Sequence, residues 1–161
     1  MKTCSSRRRF VPMVEVLESR CAPATLVNPR VLTYQDVDGD VVRVAFSNPI
    51  LNAGNVDAIF TFDTGTVDGD NLTPRQLQSI NLVGVAGAAN TNITITATRS
   101  TVTGGDGFAA VGEIDATGLD LGVVTIRGDL GRILAGDANL ATRGLAALNV
   151  ASLGRFGLAT G

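Results

Sequence analysis

Leu121-Gly-Val-Val-Thr-Ile-Arg-Gly-Asp-Leu-Gly-Arg-Ile-Leu-Ala-Gly136 is echoed further along the chain by Leu145-Ala-Ala-Leu-Asn-Val-Ala-Ser-Leu-Gly-Arg-Phe-Gly-Leu-Ala-Thr160. The two Leu-Gly-Arg triplets, starting at Leu130 and Leu153, stand 23 positions apart, and the apolar runs before them, aligned on Val124 and Leu148, stand 24 apart. Self-similarity at a period of about 20 to 50 residues marks a stacked array, in which each unit buries its aliphatic side chains against the next. Further short apolar runs at 111–114, 123–126, 132–134, 145–150 and 155–158 are punctuated by glycines, and glycine supplies the left-handed backbone that corners need. The pattern predicts a parallel β-solenoid with three short strands per coil. Leu130, Ile133, Leu145, Leu148, Val150, Leu153 and Phe156 are expected inside, with Ile126 beside Val150 and Ile133 beside Phe156 on adjacent rungs.

Upstream of this array the alternation is that of an antiparallel sheet. Residues 31–37 and 40–47 flank Asp38-Gly39, a pair that favours the primed turn of a two-residue hairpin. Val42, Val44 and Phe46 then share a buried face, with Val41, Arg43 and Ala45 opposite. Strands are also expected at 57–62, 79–84 and 92–98, the last with Ile93, Ile95 and Ala97 inward. Thr73-Pro74 reads as the cap and first residue of one or two helical turns over 73–78. The chain therefore divides into a basic leader over 1–28, a small antiparallel β unit over 29–99, a Gly-rich linker over 100–107 and the start of a solenoid over 108–161. With so few coils the array reads as incomplete, either a truncated frame or the front of a longer protein.

Composition removes whole classes of chemistry. The 161 residues contain no histidine, which excludes Ser-His, Cys-His and His-zinc sites. Cys4 and Cys21 both lie in the leader, and none falls in the body, where a disulfide or zinc site would sit. Residues 1–30 carry six basic and two acidic groups, leaving the body acidic, which argues against nucleic acid as a partner. Nor does any segment have the length and apolarity of a membrane span.

The leader opens on Ser6-Arg7-Arg8-Arg9-Phe10-Val11, the start of a twin-arginine signal. The apolar stretch of about 7 to 15 residues that should follow is broken by Glu15, Glu18 and Arg20, and Arg20 before Cys21 is wrong for a lipoprotein site. Residue chemistry alone reads 1–28 as a basic tail with a short helix around residues 14–18. Arg7-Arg8-Arg9-Phe10, Val14-Glu15-Val16-Leu17-Glu18-Ser19-Arg20 and Ala22-Pro23-Ala24 resemble the N-terminal segment of large planctomycete-type surface and exported proteins. Tyr34-x-Asp-Val-Asp-Gly-Asp40-Val, Asn92-Ile-Thr-Ile-Thr, Gly105-Asp-Gly107, Val111-Gly-x-Ile114-Asp-Ala, Gly128-Asp-Leu-Gly-Arg132 and Ser152-Leu-Gly-Arg155 are similar to the repeating module of the same proteins. The resemblance implies export or surface attachment, with cell-envelope or extracellular components as partners. It attaches no activity to any residue.

Four motifs carry sharper chemistry. Asp63-Thr64-Gly65 has the form of an aspartic-protease loop, but that chemistry needs a second carboxylate and no second Asp-Thr-Gly occurs. Asp36, Asp38 and Asp40 could offer oxygens to calcium, although Gly39 stands at loop position four and Ser47 at position twelve, unlike a helix-loop-helix calcium site. A hairpin turn explains Asp38 and Gly39 without metal. Arg127-Gly128-Asp129 copies a cell-adhesion tripeptide by coincidence inside the repeat, and Asn71 and Asn92 head glycosylation patterns. The expectation is an all-β, non-enzymatic exported or cell-surface scaffold with structural or adhesive work and no cofactor. The alternatives are a calcium-dependent binding module or the accessory region of a secreted hydrolase.

Overall fold

A computed structural model describes residues 24–68 and 76–158. Its strands are β1 (Thr25–Asn28), β2 (Val31–Gln35), β3 (Val41–Phe46), β4 (Phe60–Phe62), β5 (Leu77–Asn81), β6 (Ile93–Thr98), β7 (Ala109–Thr117), β8 (Leu121–Gly136) and β9 (Leu145–Leu153), with one helical turn, α1 (Val56–Ile59). All nine join one mixed sheet that curls into half a barrel, in the order β1-β2-β3-β6-β8-β7-β5-β4, with β9 on the other side of β8. The antiparallel unit and the repeat segment therefore share a sheet.

The β2–β3 hairpin follows from alternation. Val42, Val44 and Phe46 are buried and Val41 and Arg43 exposed, as expected, because successive side chains of a strand point to opposite faces. Its turn is longer than the two residues that Asp-Gly suggested. Asp36 and Asp40 close it, with Asp36 N–H donating to the Asp40 carbonyl (3.0 Å) and Gly39 N–H to the Asp36 carbonyl (3.1 Å). Three residues lie between them, and Gly39 takes the left-handed position at φ +89°, the usual solution for a three-residue hairpin loop.

β6 repeats the pattern, burying Ile93, Ile95 and Ala97, and pairs antiparallel with β3 from Val41↔Thr98 to Phe46↔Ile93. Its other edge carries the first half of β8, in parallel register from Ile93↔Val124 to Ile95↔Ile126. At Arg127-Gly128 the long strand changes partner, and its second half pairs with β7 from Ala109↔Gly128 to Thr117↔Gly136. A side chain at residue 128 would run into the Ala109 backbone, so the crossing requires glycine. β9 follows the remaining edge of β8 in parallel, from Leu121↔Leu145 to Leu130↔Leu153, with an irregularity between Ile126 and Asp129. A single aliphatic core results, centred on Leu32, Val44, Ile80, Ile95, Ile114 and Leu130.

Several expectations need correction. Residues 57–59 form α1 rather than strand, because local side-chain bonds outcompete the β-branched pattern. Asn55 Oδ1 accepts from Asn52 N–H and Asn55 Nδ2 donates to the Ile50 carbonyl, both at 2.8 Å, and Asn52 Oδ1 accepts from Gly54 N–H. Of the expected helix over 73–78, Leu77 and Gln78 are strand, and 73–75 lie outside the described residues. Residues 132–134 are the continuation of β8, while 155–158 form bends. Leu153 and Phe156, expected inside, are 60% and 53% exposed, since among the described residues no strand pairs with the outer edge of β9, and Ile133 pairs with Ile114 rather than lying on a rung beside Phe156.

Candidate functional site

Asp36, Asp38 and Asp40 converge although their spacing argued against a shared site, with a carboxylate oxygen of each within 4.8 Å of the others. Asp38 and Asp40 hold the 100–107 segment. Asp40 is fully buried; its Oδ1 accepts from Ser100 N–H at 2.6 Å and its Oδ2 from Gly107 N–H at 2.5 Å. Asp38 Oδ2 accepts from Asp106 N–H at 3.0 Å, and Arg99 Nε donates to the Gly105 carbonyl at 2.5 Å. A carboxylate satisfied by two backbone amides tolerates burial that an isolated charge would not.

Asp36 is the chemically unusual member. Burial, then its hydrogen bond to Asp38 and the Asp38 charge, push its pKa up to about 8, although the Asp40 N–H bonded to its Oδ1 at 2.7 Å opposes the rise. The same hydrogen bond holds Asp38 below the usual carboxylate range. Near neutral pH the pair therefore carries one proton, with Asp36 donating to Asp38. Tyr34, buried on β2 just before the turn, has its ring edge-on to Phe62 at 5.1 Å. Its buried hydroxyl has no hydrogen-bond partner among the described residues, and burial, followed by the charges of Asp36 and Asp63, raises its pKa.

This acidic corner borders a cavity of about 140 Å³ that Gln76, Asp106, Phe108 and Asp129 also line. Sequence reasoning missed Gln76, Asp106 and Asp129 as neighbours of the hairpin, since only long-range pairing brings them there. Asp129 accepts from Ser152 Oγ at 2.5 Å and from the N–H groups of Arg155 (3.2 Å) and Phe156 (3.1 Å). Burial alone would raise its pKa, but these bonds and the Arg155 charge bring it below the usual value. Gln76 bridges strands, donating from Nε2 to the Ala110 carbonyl at 2.7 Å.

The remaining motifs are built into the frame. Asp63 Oδ1 accepts from the N–H groups of Thr64 (2.9 Å) and Gln76 (2.8 Å), at the end of β4. It does not belong to the three-carboxylate group. The Arg127-Gly128-Asp129 tripeptide lies within β8, with Arg127 stacked over Phe108 at 5.7 Å and Asp129 buried. Asn92 Oδ1 accepts from Val123 N–H at 2.7 Å, and Asn71 is outside the described residues. Among the described residues no helix is long and apolar enough to cross a membrane. No protein-family model, curated protein or solved structure matches the chain.

Proposed function

We propose that the protein is a non-enzymatic scaffold, exported or held at the cell surface, whose repeat segment is the beginning of a parallel β-solenoid presenting surface rather than transforming a substrate. The observation that carries the reading is the β8–β9 ladder. It runs parallel at the spacing of the sequence repeat, pairing Ile126 with Val150 and Leu130 with Leu153. It also places the repeat-equivalent residues Asp129 and Ser152 side by side, joined by a hydrogen bond. Stacks of this kind gain stability from nearest-neighbour contacts, so every added unit contributes. The carboxylates of Asp40, Asp63 and Asp129 support the same reading, because they are engaged by backbone amides. The Arg-rich leader and its resemblance to planctomycete-type surface proteins support the location, with cell-envelope or extracellular material as the partner.

Two measurements test it. Inserting a second copy of residues 131–153, one 23-residue period, after Leu153 extends the stack in register, raising the thermal midpoint and the β signal in circular dichroism; an insert that unfolds or lowers the midpoint refutes the coil reading. Fractionation of the producing cells should find the protein in the envelope or medium. Replacing Arg7, Arg8 and Arg9 by glutamine should retain it in the cytoplasm, and a wild-type chain found wholly in the soluble cytoplasm refutes the location.

A further inference from the structure

At the end of β6 opposite the acidic hairpin turn, a cleft of about 490 Å³ opens between the turn before β6, the β7–β8 corner and the β8–β9 connection. Asn90, Leu119, Asp120, Asp137, Thr142 and Arg143 line it. Main-chain bonds fix its walls. Asn90 N–H donates to the Asp120 carbonyl at 2.7 Å and Leu121 N–H to the Gly144 carbonyl at 2.9 Å, while Asn90 is held at φ +58°. Such a cleft is formed before any ligand arrives, which lowers the ordering cost of binding.

Asp120 is 9% exposed, and its Oδ1 accepts one long bond, from Asp137 N–H at 3.3 Å. Its second oxygen takes no hydrogen bond from the described residues and is not sealed off from the cleft. The Asn90 carboxamide and the Arg143 guanidinium also make no hydrogen bond or ion pair among the described residues. The cleft thus presents a buried acceptor, a carboxamide that both donates and accepts, and a forked donor, with the small apolar side of Leu119 beside them.

We propose that this cleft binds a neutral polyhydroxylated ligand, a pyranose unit of a glycan. A carboxylate that accepts two hydroxyl protons, facing amide and guanidinium groups that donate to hydroxyl and ring oxygens, matches a sugar's alternating donors and acceptors. Other ligand classes fit less well. None of the lining residues is aromatic, so a flat ring has nothing to stack on, and Arg143 offsets much of the charge of Asp120 and Asp137 that would draw a cation. The volume lies in the range of about 300 to 1,000 Å³ usual for small-molecule sites. The inference is independent of the scaffold reading and stands whether or not the chain is exported.

The test is titration of the full-length, ¹⁵N-labelled chain with the methyl pyranosides of glucose, galactose and mannose and with N-acetylglucosamine, followed by amide chemical shifts. At least one sugar should give saturable shifts confined to Asn90, 118–122 and 137–146, half-complete near about 1 mM, the affinity expected of a few surface hydrogen bonds. Asp120→Asn keeps the shape and the bond from Asp137 N–H but loses the charged acceptor, and should weaken that binding about tenfold. Asn90→Gly, which removes the carboxamide but tolerates the φ of +58° held there, should weaken it with the spectrum otherwise unchanged. The proposal is overturned if none of the four sugars shifts these amides, if the shifts survive both substitutions, or if calcium chloride or trilysine, rather than a sugar, moves the same amides.

Discussion

The hairpin half of the sheet and its last strand, β9, both turn aliphatic residues toward the core but bury them very differently. In β3 and β6 the inward residues Val42, Val44, Ile93 and Ile95 are fully buried, with a strand on either side of each. In β9 the corresponding residues Leu145, Leu148 and Val150 are half-buried, and Leu153 is exposed, with β8 on one side only. Alternation decides which face of a strand turns inward; neighbouring strands decide how much of that face leaves water. The repeat sharpens the lesson, because Leu130 and Leu153 are equivalent in sequence, paired on adjacent rungs, and 0% and 60% exposed.

That pair gives the largest expected contrast. Leu130→Ala leaves a cavity in close-packed surroundings and should cost about 3 kcal/mol in urea unfolding. Leu153→Ala should cost about 0.5 kcal/mol or less, the scale of surface substitutions. Equal costs would break the comparison, since they would mean that β9 is covered in solution as β8 is.

The polar side of the hairpin half comes next. Asp40 satisfies Ser100 and Gly107 amides within the buried corner. Asp40→Asn sets an N–H₂ group against one of those N–H donors, which should cost about 2 kcal/mol, the scale of a lost hydrogen bond to a buried charge. Amide hydrogen exchange at Ser100 and Gly107 should quicken in the variant while the amides of β9 stay unchanged. Quickening at both places would show that the two halves open as one unit.

Asp36 gives the same half a pH signature that β9 lacks. Its ordinary pKa is 3.8 and its folded value about 8, so across that window the folded chain keeps a proton that the unfolded chain releases. Stability from this group therefore falls as pH rises from about 4 to 8, with a slope approaching about 1.4 kcal/mol per pH unit for one full proton, and levels off above. Asp38, shifted down, acts the other way: its contribution is present above its ordinary pKa and is lost as pH falls through the lowered one. Asp36→Asn keeps a donor toward Asp38 and an acceptor for Asp40 N–H. It should match wild type near pH 3 to 4 and exceed it at about pH 9. Wild-type and variant melting curves that stay parallel across this range would remove the shared proton.

What could be read in the chain before its fold was known follows from range. The β2–β3 hairpin and β6 are legible because their signal, period-two alternation closed by a turn, lies within about ten residues. The repeat was legible as a 23 to 24 residue offset, and the β8–β9 pairing keeps that offset. The partners of β8 on its other edge were not, because β6 and β7 take successive halves of one strand and nothing in residues 121–136 announces the exchange at Gly128 beyond the glycine itself. Helix α1 was hidden for the opposite reason: Asn52 and Asn55 act through short-range bonds that a hydrophobic pattern does not register. At the acidic corner, Asp36, Asp38 and Asp40 were visible as neighbours in sequence. Asp106 and Asp129 were not, because they arrive through the 100–107 segment and through β8.

The smallest expected effect returns to the two equivalent triplets. Arg132 on β8 meets Glu113 on β7, its cross-strand partner, with Nη2–Oε1 at 2.6 Å and Nε–Oε1 at 2.9 Å, and the two side chains are 47% and 20% exposed. Arg155, its counterpart one repeat later, stacks over the ring of its own neighbour Phe156 at 5.2 Å. One arginine thus pairs across to a neighbouring strand, and the other lies over the ring beside it in sequence. Because the Arg132 side chain is 47% exposed, Arg132→Gln should cost about 0.5 kcal/mol, and the loss should shrink in 1 M salt as screening shortens to about 3 Å. Arg155→Gln should change the unfolding free energy less than Arg132→Gln and show no dependence on Glu113, which a double-mutant cycle with Glu113→Gln measures directly. A coupling as large for Arg155 as for Arg132 would mean that the end of β9 reaches back across the sheet, and the asymmetry between the two triplets would be lost.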